Sequence, residues 1–179
     1  SKTSAEIVSE LYGVIREAAG DAVVIACNAV SHLSAGIFEV YRTGDDTSGR
    51  LWSRTRAYGV NTLAFRLCQN DAFYKIDADC VGIIPGKIDW SLNRQWLDIL
   101  SVSGSPLFIS VKPDDITDSM KEDIKKAFFR NSGQKDKAEP LDWLYNNQPQ
   151  CWLINGEKRE YDFVENSYPE LLSGSTQSY

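Results

Sequence analysis

Four short runs of apolar, mostly β-branched or aromatic residues constrain this chain more than any other feature. They are AVVIAC at 22–27, GIFEVYR at 36–42, FYKID at 73–77 (closing in a further acid, Asp79) and PLFISV at 106–111. The first has no polar alternation, which is the pattern of a strand covered on both faces, as in parallel sheets. Helical patterns lie around and between the runs. Thr3 and Glu6 have capping-box spacing. Ile7, Val8, Leu11, Val14, Ile15 and Ala18 then form one helix face that stops at Gly20. Further helices are predicted from Leu51 to about Gln69, weakened in the middle by Gly59, and from Ser91 to Leu100 with Trp96, Leu97 and Leu100 on one side. A last one is capped by Asp114 or Asp115 and runs to about Arg130. Strands alternating with helices indicate an α/β architecture with a parallel sheet. The 28–36 connection is short for a parallel crossover, so an irregular one is expected there.

Composition removes several function classes. With 42% apolar and 25% charged residues in 179, the chain can bury a real core as one compact domain. A net charge of -6 speaks against a nucleic-acid partner, which needs a basic face to displace phosphate counterions. No apolar stretch approaches the length of a membrane span. The SKTSAEIV start has neither the basic nor the apolar region of a secretory leader. It also lacks an initiating methionine, so the chain reads as processed or cut from something longer, and its localisation is not legible. Cys27, Cys68, Cys80 and Cys151 are too scattered for a zinc site or a disulfide framework, and His32 is the single histidine.

Polar residues collect at the downstream end of each strand: Cys27 and Asn28, then Arg42, Asp45 and Asp46, then Asp77 and Asp79, then Ser110 and Lys112. Ligands of α/β sheets and barrels bind at these ends, although Asp and Ser also simply terminate strands and cap helices. Glycine-rich phosphate loops and the G-x-S-x-G elbow are absent from the sequence. A Cys27–His32 pair has no geometry to recommend it, and the acids lack calcium-loop spacing. Carboxylates acting on a neutral, hydroxyl-rich substrate remain, and glycoside hydrolysis needs two of them. Tyr41 and Trp52, near the acids, suit sugar faces.

The runs VVIACNAV, YRTGDDTSGRLW, KIDADCVGI and SGSPLFIS, in this order, resemble the retaining α-galactosidase clan, especially glycoside hydrolase family 36 and its relatives. In that clan a cysteine ending the fifth barrel strand lines the sugar pocket, and Cys27 matches it. An R-x-G-x-D motif followed by a tryptophan ends the sixth, matched by Arg42, Gly44, Asp46 and Trp52. A D-x-D-C element follows the seventh, matched by Asp77, Asp79 and Cys80, and a small-residue turn leads into a serine-bearing eighth, matched by Ser103 to Ser110. The resemblance covers roughly residues 5 to 130, PLDW at 140–143 is also similar to bacterial members, and the last fifteen residues match nothing.

The resemblance implies that Asp46 is the general acid/base, with Asp45 its rival because a related family places the acid directly after a glycine. It implies Cys27, Arg42 and Trp52 as substrate-binding residues, an α-galactoside-type carbohydrate as partner, and neither metal nor cofactor. The clan's nucleophile is an aspartate ending the fourth strand in a K-x-D motif. Here that strand would precede the first helix, and KID at 75–77 lies downstream of the acid/base. A (β/α)8 barrel takes eight strands and about 250 residues. The expectation is therefore a four-strand half of a TIM (β/α)8 barrel over residues 1–130, with a turn-rich extension over 131–179 and the nucleophile missing. Self-association of such a half-barrel is one expectation. A non-catalytic α/β domain that binds carbohydrate or protein is the alternative, and a small independent enzyme pairing Asp46 with Asp77 or Asp79 is a third.

Overall fold

The computed structural model describes residues 1–133 and 137–163. Helix α1 (Ser4–Ala19) starts where the capping box predicts. Thr3 Oγ1 accepts the Glu6 amide at 3.3 Å, and the Glu6 carboxylate accepts the Thr3 amide at 2.7 Å. Next come β1 (Ile25–Ala26), a short α2 (Ser31–Ser34) and β2 (Val40–Arg42). Helix α3 (Trp52–Arg54), a π-helical segment (Thr55–Val60) and α4 (Asn61–Arg66) follow without a break and end in a 3-10 turn (Leu67–Gln69). The predicted 51–69 helix therefore exists, and the weak point at Gly59 falls inside a π-segment. Then come β3 (Lys75–Asp77), β4 (Val81–Ile83), α5 (Trp90–Val102), β5 (Ile109–Val111) and α6 (Asp118–Ser132). The first five strands pair in parallel, β1–β2–β3 in one set and β4–β5 in another. The protein is thus a mixed α/β fold with parallel strands and flanking helices.

Several boundaries differ from the sequence reading, each for a physical reason. The 22–27 run contracts to Ile25–Ala26 because β1 hydrogen-bonds only to β2. With no neighbour on its other side among the described residues, Val23 is 68% and Ile25 46% exposed, not buried on both faces. The 36–42 run contracts to 40–42 because Ile37 and Phe38 donate back to the Ser34 carbonyl and prolong the turn after α2. The 73–77 strand begins at Lys75, after turn bonds from Ala72 and Phe73 to the Gln69 carbonyl. Asp79, at φ +72°, interrupts extended backbone, so the chain resumes as β4 and meets β5 instead of β2. The 106–111 run is strand only at 109–111. Asp114 and Asp115 lie in a 3-10 turn, and Thr117 is the cap of α6, accepting the Met120 amide at 3.3 Å.

Helix α5 is the hub of the core. Trp96, Leu97, Ile99 and Leu100 are buried with Val60, Leu63, Ile76 and Val81, and each such side chain contributes about 2 kcal/mol by leaving water. A smaller cluster of Tyr12, Ala26 and Phe38 holds α1 down, with the Tyr12 hydroxyl accepting the Val30 amide at 2.7 Å. Val8 packs partly against this cluster, but Ile7, Leu11 and Val14 of the same stripe stay uncovered, at 55%, 55% and 62% exposed.

Beyond α6 the predicted turn-rich stretch contains a three-stranded antiparallel sheet, β6 (Ala138–Pro140), β7 (Cys151–Ile154) and β8 (Glu157–Glu160). Asn155 and Gly156, both at positive φ, make the β7–β8 hairpin turn, the geometry that Asn-Gly pairs favour. Trp152, Ile154 and Phe163 join the main core. The expected loose end, LLSGSTQSY, lies outside the described residues. No described helix is long and apolar enough to cross a membrane.

Asp98 on α5 ties this sheet to the helices. Its carboxylate accepts from Arg159 and from the Tyr161 hydroxyl, both at 2.7 Å, and from Arg130 at 2.5 Å. Burial disfavours its ionisation, but the Tyr161, Arg130 and Arg159 bonds outweigh burial and hold the carboxyl below its usual value of 3.8. A lowered folded-state value contributes stability that is present above the unfolded value and lost as pH falls through the folded one. Asp98→Asn is therefore expected to cost about 2 kcal/mol at pH 7, a figure discounted for partial solvent access. In urea titrations the gap between variant and parent should narrow at about pH 3; an equal gap at both pH values would show that the carboxylate's charge is not what holds the sheet.

Candidate functional site

The β2–β3 register sets the site. Arg42 is the Cα partner of Asp77, and Thr43 donates to the Asp77 carbonyl at 2.8 Å. The guanidinium of Arg42 thereby reaches two carboxylates: Nη2 lies 2.6 Å from Asp46 Oδ1 and 2.8 Å from Asp79 Oδ2. Nη1 lies 3.9 Å from Cys27 Sγ, so the ends of β1, β2 and β3 meet around one cation. Burial opposes the charge on Arg42, but Asp46 and Asp79 more than restore it. Asp46 is about half exposed, whereas Arg42 and Asp79 are largely covered.

The loop after β2 is held from beneath. The Thr47 amide donates to Asp79 Oδ2 at 2.6 Å, and its hydroxyl lies 2.7 Å from the Cys80 carbonyl. Asp45 faces away from this set: its Oδ2 pairs with Arg54 at 2.7 Å and its Oδ1 accepts the Asp46 amide at 2.7 Å. Arg54 also lies over the Tyr58 ring, 5.0 Å from its centre. Gly44 packs directly on the π-segment, where a Cβ would collide with the Tyr58 carbonyl and sit 2.9 Å from Thr62 Oγ1. Farther along, Gly49 lies against Gly82 of β4, an approach with no room for a side chain.

Asp77 is buried, with Oδ1 accepting the Asp79 amide at 2.8 Å. Burial and the neighbouring Asp79 charge raise its carboxyl above the ordinary 3.8, despite that amide and Arg42. Burial, reinforced by Asp79, also pushes the Cys80 thiol up to about 11, which leaves it neutral and a poor nucleophile.

The structure thus brings together Cys27, Arg42, Asp46 and Asp79, with Asp45 one residue aside. It does not bring Trp52 to them. Trp52 is 5% exposed, its ring centre lies 6.2 Å from that of Phe163, and its indole N–H has no partner among the described residues. Tyr41 is engaged too, donating to the Ala29 carbonyl at 2.8 Å and stacking on Tyr74. Thr47 is the residue that sequence reasoning missed. A threonine directly after the second acid of a motif is a signal only once the loop is known to fold back over β3. His32 is exposed on α2, and Ser110 and Lys112 are exposed at the end of β5. No group of three or more His, Cys, Asp or Glu side chains that could hold a metal is assembled among the described residues.

A parallel α/β fold whose charged and thiol groups converge at the carboxyl ends of its strands has the layout of a ligand site in such folds. No protein-family model and no curated protein sequence matches the chain. Among solved structures it is similar to an alpha-galactosidase from Thermus thermophilus in complex with p-nitrophenyl alpha-D-galactopyranoside. The TM-score is 0.62 at 16% identity, covering 87% of this chain and 33% of that one. The chain therefore spans about a third of that enzyme's length, and at this identity the likeness is one of fold.

Two substitutions probe the geometry. Gly44→Ala must displace either the loop or the Tyr58 carbonyl, and is expected to lower stability by about 1–3 kcal/mol in urea unfolding. Asp77→Asn retains an acceptor for the Asp79 amide while removing a carboxyl whose raised folded-state value makes stability fall as pH climbs through it. Its melting temperature at pH 7 should equal or exceed the parent's; a drop there, with the variant matching the parent only in acid, would mean that the Asp77 charge is stabilising.

Proposed function

We propose that this chain is the second half of the catalytic barrel of a retaining, α-galactosidase-type glycoside hydrolase. Residues 1–130 supply four of its eight strand positions and 131–179 form a C-terminal extension. One observation carries the reading: a single arginine, on a fold like that of an α-galactosidase, gathers Cys27, Asp46 and Asp79 at three strand ends. Two further features support it. β3 and β4 are parts of one stretch, 75–83, that pairs first with β2 and then with β5, giving a continuous order of four strand positions. The uncovered α1 stripe and β1 edge are where preceding barrel units would pack.

In the assembled enzyme, Asp46 protonates the departing glycosidic oxygen and, as carboxylate, deprotonates the water that releases the sugar in the second step. Its place beside Arg42, Cys27 and Asp79 favours it over Asp45, which turns aside to Arg54. Arg42 orients Asp46 and, with Cys27, borders the sugar, while Trp52, packed in the core beside Phe163, takes no part in binding it. The nucleophilic carboxylate comes from a strand preceding β1. Asp77 is too enclosed to attack an anomeric carbon.

The test is p-nitrophenyl α-galactoside with the chain at high concentration, beside Asp46→Asn and Arg42→Ala. None should turn the substrate over. Ligand-observed NMR should detect sugar binding by the parent chain and by Asp46→Asn, weakened about tenfold or more in Arg42→Ala. Turnover abolished by Asp46→Asn would place a second working carboxylate within these residues and overturn the half-site. Failure of all three proteins to bind the galactoside would overturn the carbohydrate reading.

A further inference from the structure

A groove of about 960 Å³ lies at the other end of the strands from Arg42. Lys75, which opens β3, and the 103–106 turn, which leads into β5, line it, whereas the Arg42 cluster sits where β2 and β3 end. One corner of the groove is aromatic. Phe65 of α4 and Trp143 of the β6–β7 connection meet at 78° with ring centres 5.9 Å apart, and they remain 40% and 47% exposed. Of the five tryptophans, Trp143 is the one exposed; Trp52, Trp96 and Trp152 are buried and Trp90 is partly buried.

The turn that carries this indole is firmly tied. The Asp142 carboxylate accepts the Gln150 and Cys151 amides, both at 3.1 Å, and the Asn146 side chain at 3.2 Å. The Asp142 carbonyl accepts the Tyr145 and Asn146 amides, both at 3.0 Å. Trp143 is thus held in place before any ligand arrives, which removes an ordering cost from binding. The charged side chains of the groove are Asp71, Lys75, Lys137 and Glu139, two of each sign, so its formal charge is zero. Lys75 closes on Asp71 at 2.7 Å.

From the aromatic corner and this balance of charge we infer that the groove is a second carbohydrate site, which takes a neutral sugar ring stacked on Trp143. The C–H face of a pyranose packs on the negative face of an aromatic ring. Its hydroxyls bond to charged groups on their open side and leave the Asp71–Lys75 pair intact. An ionic ligand would meet one like charge for every opposite one. An apolar protein surface would shut all four charges away from water, at a cost in desolvation. The groove uses none of the residues of the Arg42 cluster and shares with the proposed function only the class of ligand. Placed at the opposite strand ends, it holds a glycan without cleaving it.

The test uses melibiose, a neutral galactosyl disaccharide with no aromatic group, on the full chain. Millimolar melibiose should shield Trp143 from acrylamide quenching in the parent and in Arg42→Ala alike, and Phe65→Ala should lessen the shielding severalfold. Ligand-observed NMR on Arg42→Ala should still detect the sugar, and adding Trp143→Ala should remove that signal. Tyr145→Ala, on the same turn but outside the groove, should change neither readout. No shielding in the parent, or shielding lost in Arg42→Ala, would overturn the inference. Shielding by N-acetyl-leucinamide and not by melibiose would assign the groove to a protein partner and overturn it too. Shielding without any Arg42-dependent NMR signal would keep the groove and overturn the sugar site at the strand ends; Arg42-dependent binding without shielding would do the reverse.

Discussion

The contact between Arg42 and Asp79 governs the geometry of the strand ends. Asp79 sits in the left-handed region immediately before β4, and its carboxylate reaches back to Arg42 while accepting the Thr47 amide. One side chain thus fastens the end of β2, the loop that follows it and the corner between β3 and β4. The corner is where the stretch 75–83 changes partner from β2 to β5. An ion pair so placed is more than a surface contact, because both members are largely covered and additional donors satisfy the carboxylate. The loop bearing Asp45 and Asp46 inherits its position from this arrangement. Gly44 then lets that loop lie flat on the π-segment, so helix and strand ends are held in one frame.

Sharing of a single guanidinium also sets an electrostatic condition. Arg42 faces Asp46 and Asp79 together, and a third carboxyl, Asp77, is buried just behind. Burial and the neighbouring Asp79 charge raise the Asp77 carboxyl above its ordinary value, so negative charge is disfavoured at that position. The acids are therefore not equivalent: Asp79 braces, Asp77 fills, and Asp46 alone is about half open to solvent. Under the proposed function, this difference in access sets Asp46 apart as the carboxyl that meets the substrate.

Much of the layout was legible from residue patterns. The strand positions, the helix starting at Thr3, the alternation of strands and helices and the gathering of polar groups at strand ends all follow from local sequence. Strand lengths did not, because apolar character in 22–27 reports what could be buried and not whether a neighbour is present. Trp52 reads as a sugar platform from its spacing to the acids, yet tertiary packing against Phe163 takes it into the core. The C-terminal sheet was legible in part. Asn155–Gly156 between CWLI and EKRE is a strong local hairpin signal that the turn-rich reading of 131–179 passed over. Asp98 could not be foreseen, since its partners Arg130, Arg159 and Tyr161 come from elements far apart in sequence.

The π-segment at Thr55–Val60 bears on how sequences of this kind can diverge. A wide turn of this type accommodates one residue more than the α-helical path. Removing one residue between 55 and 60 would let the helix relax to regular α geometry while the turns on either side keep their phase. Trp52 and Leu63, buried on opposite sides of that point, would still face the core together. The segment is therefore a place where chain length can change by one residue without turning the buried face of the helix.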